Sequence, residues 1–596
     1  MLSNLDIKNH FGVRHMRISF LKIKNFRGIR NANITFPNDQ RLICVIGPGD
    51  SGKSTLLKAI EWALWPTWNL SATDSDFYRC TPNSPIEIFV SLTEVPKSLV
   101  QEDKYGLFLR NIEAVIADAE NDEPIDGKAV VITVKLTIDK TLEPKWEVIT
   151  NHSGAKSISA TDRKLLAFGV VGFDYEKDFS WGRSSVLQKY TDKSKNTLHE
   201  AYMQAMRDII TGTNLTQLDT VASDLISIGK DYGVSFNGEL HNRIMMQNGS
   251  FSTTVGVFDE NIPFIMRGLG SKRLLSMGMN INAFEQGTLL LIDEVETGLE
   301  PYRISSLINK FRQRHSTNGQ IIMTTHSVST ICECSEREIA VLNNNSGEVT
   351  LHFLHTGDDS TDAKIQGILR TEPAAFLSRR IIVCEGKTEI GLLRVIDTSK
   401  GITSGERFAY HGVSFALGGG GDKLFGLAHL LKGYGYDVCI LMDSDIPEEK
   451  QEKSEASTHG IPVFSWDEGN AIEEQLFFDC SIDGVNKLLQ LAVEHKSYDH
   501  VKAKIASNFP ENRRPFTLDD ENEQITVKEE IPPEDKKKIG TVAKHKKSEW
   551  YKRIDLGEKL GYIILGDRSN MSDECRFWKT MTELEKWISK DETGRS

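Results

Sequence analysis

Residues 41 to 55 read RLICVIGPGDSGKST, an apolar run that ends in three spaced glycines, a lysine and two hydroxyl residues. The apolar part, 41 to 46, suits a buried strand, and STLLKAIEWALW at 54 to 65 has helical periodicity. Between them Gly47, Gly49 and Gly52 let backbone N–H groups curl around phosphate oxygens. Lys53 is placed to reach the β and γ phosphates, Ser54 to bind magnesium, and Thr55 closes the same loop. Loop, strand and helix agree, so the stretch predicts a site for ATP with a divalent ion.

A phosphate-binding loop needs a second strand ending in acid, and GTLLLIDEVETGLEP at 287 to 301 supplies one far downstream. Asp293 is expected to hold the magnesium through water and Glu294 to polarise the attacking water. IIMTTHS at 321 to 327 then predicts another buried strand, with His326 set to contact the γ-phosphate. Residues 186 to 232 carry apolar positions at three- and four-residue spacing without a sustained heptad, which predicts a compact helical insertion and a dimer contact.

A second set of acidic residues follows at 381 to 390, IIVCEGKTEI. Glu385 stands at the carboxyl end of an apolar strand and Glu389 in the first turn of the next helix, so both face the crevice where open α/β sheets place ligands. The strand in YDVCILMDSDIPEEK at 436 to 450 ends in Asp443 and Asp445, which strand alternation puts on one side. Carboxylates crowded in this way repel unless divalent cations neutralise them, and an all-oxygen ligand set suits magnesium or manganese rather than zinc. Two such ions are a common apparatus for attack of water on a phosphodiester.

Composition limits the remaining classes. A chain of 596 residues exceeds one core and predicts two or three domains. No apolar run approaches the roughly 20 residues that span a bilayer, and the opening lacks a signal-peptide stretch, so a cytoplasmic location without membrane contact is expected. Cys44, Cys384 and Cys439 lie in apolar runs as small hydrophobes, and Cys332 and Cys334 have no second pair at zinc spacing. A net charge of −13 excludes a protein that coats nucleic acid along its whole surface but leaves room for a basic groove. The dense basic run is KKKIGTVAKHKKSEWYKR, 536 to 553. Beside a nuclease centre, Lys536 to Lys538 and Lys544 to Lys547 are expected to bind flanking phosphates, whereas Trp550 and Tyr551 read as core, with base stacking as the alternative.

With the acidic strand, the TGLEP loop and the strand ending in His326, the head resembles the ABC-type ATPases of the SMC-like class, as does FLKIKNFRGIRNANITF at 20 to 36. That resemblance implies that Gly268, Gly270 and Ser271, in RGLGSKRLLSMG, form a signature segment for nucleotide held by another subunit. This segment departs from the usual Leu-Ser-Gly-Gly-Gln wording. A strand ending in Glu-Gly followed by one ending in Asp-x-Asp resembles the Toprim domain. Together the two halves are similar to the OLD (overcoming lysogenization defect) family of ATPase-Toprim nucleases, which includes the Gabija large subunit and retron-associated effectors.

The expected fold is therefore α/β: an ABC/SMC-like P-loop head over 14–175 and 236–360, a helical insertion at 176–235, a linker at 361–377, and a Toprim domain with C-terminal helical elements over 378–596. The family resemblance implies metal ligation by Glu385, Glu389, Asp443 and Asp445, a further ligand at Glu473 with Glu474 as alternative, and a charge-stabilising lysine at Lys552 or else Lys547. It implies an ATP-regulated DNA endonuclease for anti-phage defence, working as a homodimer or larger assembly. Its restraint is expected from ATP, a neighbouring-gene protein or retron noncoding DNA or RNA. Two rivals stand beside it: a Toprim topoisomerase or primase, and an ATP-gated DNA sensor that does not cleave.

Overall fold

The computed structural model describes residues 16–166, 168–172, 175–180, 186–187, 218–246, 253–283, 289–315, 319–403, 406–446, 449–545 and 548–590. They fall into two compact units, Met1–Pro373 and Ala374–Ser596.

In the first unit the strand Leu42–Ile46, buried at all five positions, runs parallel to Gln320–Thr324 on one side and Ile339–Asn345 on the other. Beyond Gln320–Thr324 come Leu289–Ile292 and Phe168–Val171, also parallel. These near-continuous apolar runs are the pattern of strands buried on both faces. Toward the other edge the same sheet passes through Glu348–Phe353 and Ile29–Thr35 into an antiparallel stretch built from Arg17–Phe26, Ile86–Thr93, Val130–Ile138, Pro144–Thr150 and Gly154–Ser157. Helix Lys53–Ala63 follows the glycine loop and buries Leu56, Leu57, Ile60 and Trp62.

Of the insertion expected over 176–235, residues 188–217 and their dimer contact lie outside the described residues. Its last part, helix Asp219–Asp231, packs on helix Leu269–Ala283 of the same chain. Gly278 sits so close to Ile228 and Tyr232 that a side chain there would collide with both. This end of the insertion is head core. The linker expected at 361–377 is likewise folded: helix Asp359–Thr371 starts at an Asp358 cap that accepts from Thr361 N–H at 2.8 Å, and it buries Ile365 and Leu369. Ile365, Leu369 and Arg370 already had helical spacing, and a short helix packed on Val328–Glu333 uses it.

The second unit is built on a four-stranded parallel sheet in the order Val413–Leu417, Arg380–Cys384, Asp437–Met442, Val463–Ser465. Cys384 and Cys439 are buried inside it, as small hydrophobes should be. Helix Lys387–Thr403 crosses helix Ile554–Asp567 where Gly391 faces the Ile554 carbonyl and Gly557 faces that of Thr388. A methyl group at either glycine would strike backbone, so the two helices are as close as the chain allows. Arg380 secures the far end by donating to the carbonyls of Ile588 and Lys590.

Candidate metal and nucleotide sites

The acidic residues of the second unit follow two neighbouring strands and stand in the first turns of two helices. Glu385 follows Arg380–Cys384 directly, and its N–H donates to Leu441 O on the neighbouring strand at 3.0 Å. Its Oε2 accepts from Asp443 N–H at 2.8 Å. Asp443 Oδ1 accepts from Trp466 Nε1 at 3.0 Å and from Ile472 N–H at 2.9 Å, so one of its oxygens is fixed by the fold. The strand stops at Met442, so the placement of Asp443 and Asp445 comes from this loop and its hydrogen bonds rather than from strand alternation.

Glu389, in the first turn of Lys387–Thr403, is 3% exposed, and its Oε2 has no hydrogen-bond partner among the described residues. Burial first, then the charges of Glu473 and Glu385, push its carboxyl up to about 8. Burial also raises Asp443 well above the carboxylate range, helped by Glu389, Glu385, Glu473 and Asp445. Glu385 and Glu473 are raised by burial too. Each is a carboxyl whose charge the surroundings do not balance. Glu474, the neighbour of Glu473, faces elsewhere: it accepts from Ala471 N–H at 2.9 Å, Thr541 Oγ1 at 2.7 Å and Lys544 Nζ at 2.6 Å.

Lys552 is half exposed, lies 3.9 Å from Glu549, and acts electrostatically on Glu385 and Glu473. Lys547 lies outside the described residues. The basic run is less available to phosphates than its sequence suggests. Lys536 donates to Cys480 O at 2.8 Å, Lys538 lies over the Phe509 ring, and Lys544 pairs with Glu474 and Asp445. Trp550 and Tyr551 are buried, so they serve the core, not base stacking. Sequence reading missed Lys453, whose Nζ donates to Asp443 O at 3.0 Å, and Trp466. It also missed Glu449, buried and raised by burial and by Glu385. Nothing in their spacing marks them.

In the first unit Gly47 and Gly52 take φ of 144° and 96°, while Gly49 needs no such freedom. Lys53 Nζ donates to the carbonyls of Gly47 and Pro48 at 2.9 and 2.8 Å, and burial pulls its pKa down to about 8 against the pull of Asp293 and Asp50. Ser54 Oγ donates to Asp293 Oδ1 at 3.1 Å, which also accepts from Thr324 Oγ1 at 2.5 Å. This joins the phosphate loop to the second acidic strand across Gln320–Thr324. Thr55 is half-buried at the start of the helix. Glu294, at φ 46°, donates its N–H to Thr324 Oγ1 at 2.8 Å and accepts from Thr297 Oγ1 at 3.0 Å. His326 is exposed at the end of its strand, its N–H bound to Glu296 Oε1 at 2.7 Å.

Gly268 is exposed, and Gly270 and Ser271 are half-buried at the start of Leu269–Ala283. Gly270 packs on the carbonyl of Gly298, so its missing side chain is already used within the chain. From the same helix the fully buried Arg273 donates to the carbonyls of Gly172, Asp293 and Glu294, tying the segment to the acidic turn. Sequence reading passed over that arginine.

The family model described as "Overcoming lysogenization defect protein-like, TOPRIM domain" matches residues 376–445. An AAA domain model matches 21–217 and an AAA ATPase domain model matches 137–331. The chain is similar to OLD-family ATPase-Toprim proteins. The Old nuclease of Escherichia phage P2 is 22% identical to this chain over 446 residues, 67% of this chain and 73% of that one. Among solved structures, an Smc head bound to the C-winged helix domain of ScpA covers 56% of this chain and 96% of its own, at 13% identity and a TM-score of 0.36. The Thermotoga maritima SMC head domain covers 57% and 100% at 14% identity and 0.29, and the recombination mediator RecF covers 57% and 100% at 12% and 0.33. An AAA ATPase domain implies nucleotide binding, and a Toprim domain implies use of a divalent metal. No helix among the described residues is long and apolar enough to cross a membrane.

Proposed function

We propose that the chain is an ATP-regulated DNA endonuclease dependent on magnesium or manganese. The carrying observation is Glu389 Oε2, buried and without a partner among the described residues, with the charges of Glu385 and Glu473 acting on it and its own acting on Asp443. An all-oxygen set whose charges raise one another's pKa fits a hard divalent cation, and Asp445 lies at its edge. Such a cation supplies positive charge to a phosphodiester and to the water that attacks it. The chain's own residues hold the donors still: Asp443 N–H fixes Glu385, while Trp466 and Ile472 fix Asp443. Lys552, half exposed beside this centre, neutralises charge on the reacting phosphate.

In the head, Lys53 and Ser54 serve the phosphates and ion of ATP, Glu294 orients the attacking water, and His326 reads the γ-phosphate. Gly268, Gly270 and Ser271 receive nucleotide from a second copy in a homodimer or larger assembly. The similarity to a phage-encoded nuclease supports a role in conflict between phage and host, and we assign the chain to antiviral defence.

The test is nicking of supercoiled plasmid in magnesium or manganese by Asp443→Ala protein that remains folded and hydrolyses ATP. Loss of nicking is expected. Nicking at the wild-type rate, or none by either protein under any nucleotide condition, refutes the nuclease reading.

A further inference from the structure

Three ligating side chains meet in the head, outside the nucleotide loop and its acidic turn. Glu336, His355 and Asp362 each bring one ligand atom to within 4.8 Å of the other two. Glu336 opens the short turn Glu336–Glu338, His355 follows strand Glu348–Phe353, and Asp362 stands near the start of helix Asp359–Thr371. The surrounding bonds hold them in place. Asp362 Oδ1 accepts from Thr356 N–H and from Thr356 Oγ1, both at 2.8 Å, which leaves Oδ2 for His355. Gln366, one turn further along the same helix, accepts from Glu336 N–H at 2.9 Å. Asp362 is 6% exposed, and Glu336 and His355 are half-buried.

His355 Nδ1 decides what the cluster is for. It is shut off from solvent and has no hydrogen-bond partner among the described residues, although Asp362 Oδ2 lies 2.7 Å away and Glu336 Oε1 4.0 Å away. His152 provides the contrast, because at the same 2.7 Å its Nδ1 is hydrogen-bonded to Asp122 Oδ1. The His355 ring therefore does not aim an N–H at its carboxylate. With its proton on Nε2 it turns a buried lone pair toward two acidic oxygens, an arrangement that a cation between them satisfies. One imidazole with two carboxylates suits zinc, unlike the all-oxygen set of the second unit. Metal bonds of about 2.0–2.2 Å put donors about 3–4 Å apart, so a small swing of the Glu336 side chain closes the set. We propose that Glu336, His355 and Asp362 hold a divalent ion of the zinc class, which clips the last helix of the head to the strand and the turn beside it. Three protein ligands leave a further position to water, so the ion is exchangeable. The helix it secures ends at Thr371, directly before the second unit begins at Ala374.

The experiment is zinc binding to the full chain by competition with a chromophoric chelator, in excess magnesium and without nucleotide. Wild-type and Asp443→Ala protein should each bind one tight equivalent more than His355→Gln does. Glu336→Gln, a nearly isosteric change at a half-buried position, should bind that equivalent about tenfold or more weakly. Zinc should also slow hydrogen exchange across 359–371 in wild type and leave it unchanged in His355→Gln. Undiminished zinc binding by His355→Gln, equal affinity in Glu336→Gln, loss of the same equivalent in Asp443→Ala, or exchange in 359–371 that ignores zinc overturns the proposal. No zinc bound by wild type overturns it too, and reduces the cluster to an ion pair.

Discussion

The backbone N–H of Asp443 donates to Glu385 Oε2 at 2.8 Å, so the two acidic motifs are one hydrogen-bonded unit. Glu385→Gln keeps an oxygen acceptor for that bond, whereas Glu385→Ala leaves a donor without its partner, at a cost of about 1–3 kcal/mol. Both should lose nicking by about a thousandfold or more with ATP hydrolysis intact, since ligands of one centre act as a unit. Only Ala should lower the melting temperature. Equal melting of the two variants would show that the bond carries no stability.

Glu389 gives a pH signature. Its carboxyl is raised from an ordinary 4.5 to about 8, so the folded, metal-free protein keeps a proton that the unfolded chain has released. The stability this contributes is fully present below about pH 4.5 and is lost as pH rises through about 8. In chelator, melting temperature should fall across that window, and Glu389→Gln should flatten the fall. Manganese should stabilise most at the upper end, where the carboxylate is charged. A Gln variant as pH-sensitive as wild type would contradict this.

In the head, Lys53→Ala should abolish ATP hydrolysis and weaken nucleotide binding, because its ammonium is the buried charge at the mouth of the loop. Glu294→Gln should retain ATP unhydrolysed. Filter binding of labelled ATP separates the two, and equal loss of binding would reject the assigned roles.

Arg273→Met should destabilise the head by about 2–4 kcal/mol, because three backbone carbonyls lose the guanidinium that satisfies them. ATP hydrolysis should fall more than ATP binding, as the Glu294 turn loses its support. A Met variant with wild-type melting and turnover would show the tie to be unused.

The phosphate loop, its helix and the two acidic strands were legible because each is a local pattern with a fixed chemical purpose. Glu473 was ranked above Glu474 on family resemblance. The structure separates them physically, since Glu474 is consumed by Ala471, Thr541 and Lys544. What stayed hidden depends on contacts distant in sequence. Lys536 and Lys544 were expected to bind flanking phosphates, yet both are spent inside the fold, and no local signal distinguishes such a lysine from an exposed one. Arg273 was invisible for the same reason: its acceptors come from residues around 172 and 293. Within the stretch expected as a linker, the apolar spacing of Ile365 and Leu369 belongs to helix Asp359–Thr371, which buries both.

The close crossing at Gly391 and Gly557 fixes how this domain can be divided. The family model ends at residue 445, but Glu389 rides on a helix wedged against Ile554–Asp567, and Arg380 reaches Ile588 and Lys590. Glu473 and Lys544 also come from beyond that limit. A shortened cassette made of the recognisable motifs alone would carry four acids and none of the scaffold that crowds them together. For transplantation between proteins, or for exchange by recombination, the indivisible parcel is the whole of 374–590.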